Sequence, residues 1–223
     1  MNPLPWSIST LDKFVTCPTQ YAAIKVYRTV KEAEGAAAAW GNRVHDAAEA
    51  NLRDNKPLDP ELASYQPYLD EIKRLPGTLL VEQKLALNTQ FKPVAFDAKD
   101  VWVRGKCDAL TIDGALARAL DHKTGKRKSE SRQMVLMALL IFHHHPEVME
   151  VRTAFFWLKH AKRDTGVYRR ADMPAMWNMF VTDLKQYRDA FATETWQPRQ
   201  SGLCYGWCPV TTCEFWKPKK AGR

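Results

Sequence analysis

Apolar positions in the first third of the chain recur with helical spacing. Leu11, Phe14, Val15, Ala22 and Val26 follow Ser9-Thr10-Leu11-Asp12, which reads as a helix N-cap with an acid three residues on, and this helix is expected to stop or bend at Pro18. From Ala36 to about Arg53 the residues Val44, Ala47, Ala48 and Leu52 make one apolar face with His45 on its border, which predicts a second helix. A third, from Pro60 to about Leu75, is closed by Pro76-Gly77. The period then changes to two. Leu79 to Leu87, Val101 to Ile112 and Ala115 to about His122 read as strands, with Asp113-Gly114 as a tight hairpin turn between the last two. Ser129 to His145 is helical again, Val151 to Leu158 is a strand rich in β-branched and aromatic residues, and Asp172-Met173-Pro174 opens a long helix to about Thr193. With no internal repeat and no low-complexity linker, the pattern predicts an α/β chain in which helices pack on one mixed central β-sheet.

Composition bounds this picture without changing it. A chain of 223 residues with 45% apolar content has room for one large domain or at most two small ones, and the reading is a single domain over residues 1–223. The 33 Lys and Arg against 25 Asp and Glu leave a net charge of +8, which favours a polyanionic partner such as nucleic acid and is also compatible with a merely solvated basic surface. The first residues lack a basic stretch followed by an apolar one, and no apolar run approaches the roughly 18 residues of a membrane span. A soluble, cytoplasmic protein is expected, with no membrane association. In a reducing compartment, clustered cysteines point to metal ligation or ordinary burial rather than disulfides.

The hairpin carries the candidate chemistry. A period of two puts Arg104, Lys106 and Asp108 on one face of its first strand and aligns Asp121 with Lys123 in its second. Pairing through the two-residue turn brings Asp108 close to Asp121. Two facing carboxylates repel unless a cation sits between them, and hard oxygen ligands suit Mg²⁺ or Mn²⁺. By spacing alone, a surface strand with solvated charges fits as well.

Gly105-Lys-Cys-Asp108, then Asp121-His-Lys-Thr-Gly125, then Gln133, resembles the GxxD, DxKTG and Gln-containing motif series of RecB-like PD-(D/E)XK nucleases. Upstream, Gly41-Asn-Arg-Val-His45 resembles the family's GxxxH motif, and Ser7, Ser9, Leu11, Phe14, Cys17-Pro18 and Tyr21 resemble its entry motif, SxSxLxxFxxCPxxY. The matches keep the family's order and span nearly the whole chain. The resemblance implies a restriction-endonuclease-like core with N-terminal helices and a cysteine-bearing C-terminal tail, about residues 198–216, packed on the N-terminal helix. It implies a metal-dependent DNA nuclease of recombination, repair or replication, with exonuclease action favoured. Carried over, it makes His45, Asp108 and Asp121 metal ligands, adds the backbone carbonyl of His122, and makes Lys123 the catalytic lysine with Gln133 against the scissile strand or orienting that lysine. A histidine among carboxylates is a softer ligand than Mg²⁺ prefers, which suggests that Mn²⁺ supports activity at least as well. Glu82 lies where the family often has an acid, and an edge-strand carboxylate explains it almost as well. Where the family commonly has a tyrosine four residues after the glutamine, this chain has Met137.

Cys204, Cys208 and Cys213 gather within ten residues, a spacing that suits Zn²⁺ or an iron–sulfur cluster. Some RecB-like nucleases, AddB-type and CRISPR-associated members among them, hold a 4Fe-4S cluster with one N-terminal and three C-terminal cysteines. Cys17 matches the N-terminal one, although the C-terminal spacing here is three then four intervening residues instead of two then five. The alternative is reduced, packed thiols; Cys107, between Lys106 and Asp108 on a strand, is expected to point away from the site and reads as core. His143, His144 and His145 close a helix before Pro146 and read as its cap. Lys126, Arg127, Lys128 and Arg132 follow the DxK strand directly and are expected to grip DNA phosphates, a solvated loop being the alternative. The rival to an enzyme is a catalytically silent nucleic-acid-binding module or a subunit of a recombination complex; no particular protein partner is indicated.

Overall fold

The computed structural model describes residues 3–32, 35–125, 131–158 and 162–218. The chain forms two compact units, one of residues 35–179 and one of residues 1–34 with 180–223.

The larger unit contains α3 (Ala36–Asp54), a 3₁₀ turn (Pro60–Tyr65), α4 (Gln66–Lys73), strands β1 (Thr78–Leu87), β2 (Val103–Asp113) and β3 (Leu116–Lys123), helix α5 (Ser131–His144), and strands β4 (Glu150–Trp157) and β5 (Lys162–Arg169). The strands form one five-stranded sheet in sequence order, antiparallel throughout except where β3 and β4 run parallel. A parallel neighbour needs a crossover, and α5 supplies it. On one face, Val44, Ala48 and Leu52 of α3 and Leu69 and Ile72 of α4 pack with Ala109 of the sheet. On the other lies α5, whose residues Met134 to Phe142 are all buried. Gly105 lets this helix approach β2, since a Cβ there would stand 2.8 Å from a Leu140 methyl.

The histidines at the end of α5 do not cap it, contrary to the sequence reading. Arg170 does: its guanidinium donates to the carbonyl oxygens of Phe142 (2.8 Å), His145 (2.6 Å) and Val148 (2.7 Å). The Phe142 and His145 carbonyls lie at the end that a helix leaves unsatisfied, where a cation suits the dipole, and Val148 lies in the turn that follows. His144 instead meets the backbone of Ala86, and His143 stacks on Phe91. Strand β5 is a second departure: Lys162, Arg163, Asp164 and Gly166 carry little strand propensity, and pairing with β4 holds them extended, with Arg163 also tied to Glu71 and Asp164 to the Trp157 indole.

The smaller unit holds α1 (Ile8–Thr16), α2 (Pro18–Tyr21), a π-helical turn (Ala22–Val26), most of α6 (Met173–Thr193) and the C-terminal segment. The cap of α1 is Ser7, two residues before the expected Ser9. Ser7 Oγ accepts from the Thr10 N–H and Thr10 Oγ1 accepts from the Ser7 N–H, and this reciprocal pairing outcompetes the later start. Pro18 disfavours helical backbone at the residue before it, so Cys17 is extended (φ −161°) and turns out of the helix line. Phe14, Tyr21, Tyr187, Phe191 and Trp196 form an aromatic core, with the Tyr21 and Tyr187 hydroxyls 2.5 Å apart.

Candidate metal centre and cysteine cavity

The ladder between β2 and β3 ends at Ala109 and Leu120. The next residues are Asp108 and Asp121, so both carboxylates sit where the strands part. There the His122 N–H, lacking a strand partner on β2, donates to Asp108 Oδ2 at 2.7 Å. On β1, opposite Asp108, Glu82 adopts a left-handed backbone (φ 56°) in mid-strand. For a residue with a Cβ this costs about 1–3 kcal/mol, and such strain gathers at functional sites. α3 brings His45 to the gap, with Nδ1 3.2 Å from Asp108 Oδ2. Ligand atoms of His45, Glu82 and Asp108 lie within 4.8 Å of one another, and no other His, Cys, Asp or Glu trio among the described residues does. Of the two sequence readings of Glu82, this placement favours the family's acid over a plain edge-strand carboxylate.

Asp121 stands beside this trio. Lys123 Nζ lies 2.8 Å from Asp121 Oδ2, Gln133 Oε1 accepts from Lys123 (2.8 Å), and Gln133 Nε2 donates to Asp121 Oδ1 (3.0 Å). One glutamine thus bridges the acid and the amine from the first turn of α5. Burial, then the charge of Asp108, pushes the Asp121 carboxyl up to about 6 against the pull of Lys123. Burial works on Asp108 in the same direction, yet hydrogen bonds from His45 and the His122 backbone hold it below the usual carboxylate range. His45 is raised, first by its hydrogen bond to Asp108. Two carboxylates so close and so dry, one forced upward, fit a divalent cation, because a positive charge between them relieves both the burial cost and the mutual repulsion.

The His122 side chain turns away from the carboxylates into an aromatic box. Its ring meets Tyr68 edge-on (5.4 Å), Tyr68 stacks on Phe156 (3.8 Å), and the Arg163 guanidinium, paired with Glu71, lies over both rings. Burial pushes the imidazole down to about 4, so it is neutral at pH 7. Cys107 is fully buried as expected, but it lies beside Asp121 and Gln133 rather than away from the site. Of the expected phosphate-binding group, Arg132 is half-buried in the first turn of α5, and Lys126, Arg127 and Lys128 lie outside the described residues.

In the smaller unit, Cys17, Cys204, Cys208 and Cys213 line one concavity, partly open to solvent, together with Gln20 and Trp216. All are free thiols. The N–H groups of Arg199 and Ser201 point at the sulfurs of Cys17 (3.5 Å) and Cys204 (3.4 Å). Burial raises the Cys208 thiol, with Cys17 and Cys204 adding to the shift. Trp216 covers the group and donates to the Cys208 carbonyl at 3.1 Å, whereas Trp207 is exposed.

The family model of the PD-(D/E)XK nuclease superfamily matches residues 5–213, and the chain belongs to that superfamily. Nucleic acid is therefore its substrate class and phosphodiester hydrolysis its reaction. Its fold is similar to that of a crystal structure described as a candidate exonuclease from Eubacterium rectale, at 13% identity and a TM-score of 0.55 over 91% of this chain and 86% of that one. A second crystal structure, of the protein SSO0001, has 12% identity and a TM-score of 0.49 over 94% of this chain and 85% of that one. No curated protein matches the sequence. No helix among the described residues is long and apolar enough to cross a membrane.

Proposed function

We propose that this chain is a divalent-metal-dependent deoxyribonuclease, acting as an exonuclease in recombination, repair or replication. The observation that carries the reading is the meeting of Asp108, Asp121, His45 and Glu82 at the point where β2 and β3 part, with Lys123 beside them. Asp108, Asp121, His45 and Glu82 would hold the cation, with the His122 backbone carbonyl as a further donor. Mg²⁺ or Mn²⁺ bound there would neutralise phosphate oxygens and make a coordinated water easier to deprotonate.

The protein's own groups have separate tasks. His45 and the His122 N–H fix the Asp108 carboxylate in one orientation. Gln133 holds the Lys123 ammonium 2.8 Å from its carbonyl oxygen, so the amine is already in place to offset charge developing on the phosphate in the transition state. A group acting on that charge raises turnover more than substrate affinity.

The test is digestion of end-labelled linear and covalently closed circular DNA with Mg²⁺ or Mn²⁺, against a chelator control. The expected result is stepwise release of label from linear DNA, no cutting of circles and no activity in chelator. Binding to DNA without cutting under every metal condition would instead favour the silent binding module or complex subunit.

The cysteine cavity supports a second metal centre, a 4Fe-4S cluster held by Cys17, Cys204, Cys208 and Cys213. The match of Cys17 to the N-terminal cysteine of cluster-binding RecB-like nucleases favours a cluster over Zn²⁺. Iron and sulfide analysis of anaerobically prepared protein, with absorbance near 400 nm, tests it; zinc at one per chain would select the alternative.

A further inference from the structure

The sheet face that carries Glu82 and Asp108 continues beyond them. Lys84 and Lys106 are directly paired across β1 and β2, and Ala86 pairs with Arg104 one step further on. Period two places Arg104, Lys106 and Asp108 on one face, successive side chains about 7 Å apart. The ion pair of Lys106 with Glu82 agrees with that shared orientation. At the far end Phe96, in the β1–β2 connection, gathers two of the cations: Lys84 Nζ lies 5.8 Å and the Arg104 guanidinium 5.0 Å from its ring centre.

This arrangement works against folding. Like charges directly opposite on antiparallel strands repel. The acids near them are few: Glu82 contacts Lys106, and Asp97, 88% exposed, stands 4.0 Å from Arg104. Lys84 is exposed and has no carboxylate within 4.0 Å among the described residues. A ring whose face attracts cations holds Lys84 and Arg104 together where their charges alone would part them.

We propose that Lys84, Lys106 and Arg104, gathered by Phe96, form a phosphate-binding track that leads the DNA substrate along β1 and β2 to the metal centre. The inference rests on the nuclease reading above and adds the path of the strand. Charge complementarity selects the occupant: a row of cations at regular spacing, continuous with a site for phosphodiester cleavage, matches a polyphosphate backbone. Phe96 is a positioning residue. Lys106 also touches Glu82, so its loss would disturb the metal site, and the test leaves it in place.

The experiment compares wild type with Lys84→Gln/Arg104→Gln, and with Lys185→Gln/Arg188→Gln on α6 as a control of equal charge change. Fluorescence anisotropy of labelled single-stranded and duplex oligonucleotides is measured over a salt series, and cleavage kinetics alongside. In the track variant each lost contact should take about 0.9 from the log–log salt slope on duplex, or about 0.7 on single strands. KM should rise on the order of tenfold while kcat stays within about twofold. Phe96→Leu should show a smaller loss of the same kind. An unchanged slope and KM, or an equal loss in the control, would overturn the track. Failure of wild type to cut would overturn the nuclease reading, whereas the binding slopes would still decide the track.

Discussion

The His122 backbone N–H donates to the Asp108 side chain at 2.7 Å, two residues past the last position at which β3 pairs with β2. A bond that would elsewhere extend the sheet here orients a carboxylate. The acid is thus tied to the backbone of the strand that carries Asp121 and Lys123, and small changes in strand separation move the whole group together.

The first prediction follows from that grouping. Asp108→Ala, Asp121→Ala and His45→Ala should each abolish cleavage while the protein stays folded, and Glu82→Gln should weaken metal binding. Each ligand loss should exceed the ~10–100-fold effect of removing an outer partner of a metal ligand. Isothermal titration with Mn²⁺ and a digestion assay check this; Asp121→Ala cutting at the wild-type rate would rule out the proposed centre.

Lys123 and Gln133 should separate binding from turnover. Lys123→Ala is expected to cut kcat by on the order of 10²-fold or more with metal affinity retained, because the amine acts on charge that appears in the transition state. Gln133→Ala should give a milder loss of the same type, since it frees the lysine without removing it. Normal kcat at saturating metal for Lys123→Ala would assign that residue to metal binding instead.

A pH dependence follows from Asp121. Its carboxyl titrates at about 6 in the fold, above its ordinary value, so the folded state binds the proton more tightly than the unfolded state. This group's contribution to stability therefore falls as pH rises between about 4 and 6, and its cost is fully present above 6. His122, held near 4, works oppositely over much of the same range, so the effect has to be read by difference. In chelator, Asp121→Asn should melt higher than wild type at pH 8 and lose that advantage at pH 5; adding Mn²⁺ should stabilise wild type more than the variant. Equal melting temperatures at pH 8 would mean that the carboxylate carries no burial cost.

The cysteines offer a test in which packing and ligation predict opposite orders. Cys107 is buried in β2 and contacts the Ala109 carbonyl, whereas Cys213 is only partly buried. By burial alone Cys107→Ser costs more, about 1–3 kcal/mol for a poorly satisfied hydroxyl. A metal centre reverses this, with Cys213→Ser lowering the melting temperature further and iron content falling with it.

The helices α1, α3, α4, α5 and α6 and four of the five strands were legible because each buries one face or, in α5, nearly every face. Strand β5 was not, since Lys162, Arg163 and Asp164 owe their extended backbone to β4 rather than to their own propensities. Motif order pointed to His45, Asp108, Asp121, Lys123 and Gln133 as a set and to Glu82 only as one of two readings, because its left-handed backbone is visible only in three dimensions. The resemblance implied that the C-terminal segment packs on the N-terminal helix, but not the polar ties that hold it: Arg199 reaches the Val15 carbonyl and Gln186, and Thr19 donates to the Trp196 carbonyl. Such long-range ties depend on which surfaces meet, which local spacing does not encode.

Strand β1 is the outer strand of its sheet, with one flank beyond β2's reach. An outer strand offers unpaired N–H and carbonyl groups to any other extended chain, a route to aggregation. The left-handed residue Glu82 breaks that template in its middle, and the exposed charge of Lys84 penalises a neighbour that would bury it. The backbone distortion that turns an acid toward the candidate metal centre therefore also helps to keep copies of the protein apart. A variant relaxed to regular strand geometry at this position would trade solubility as well as activity.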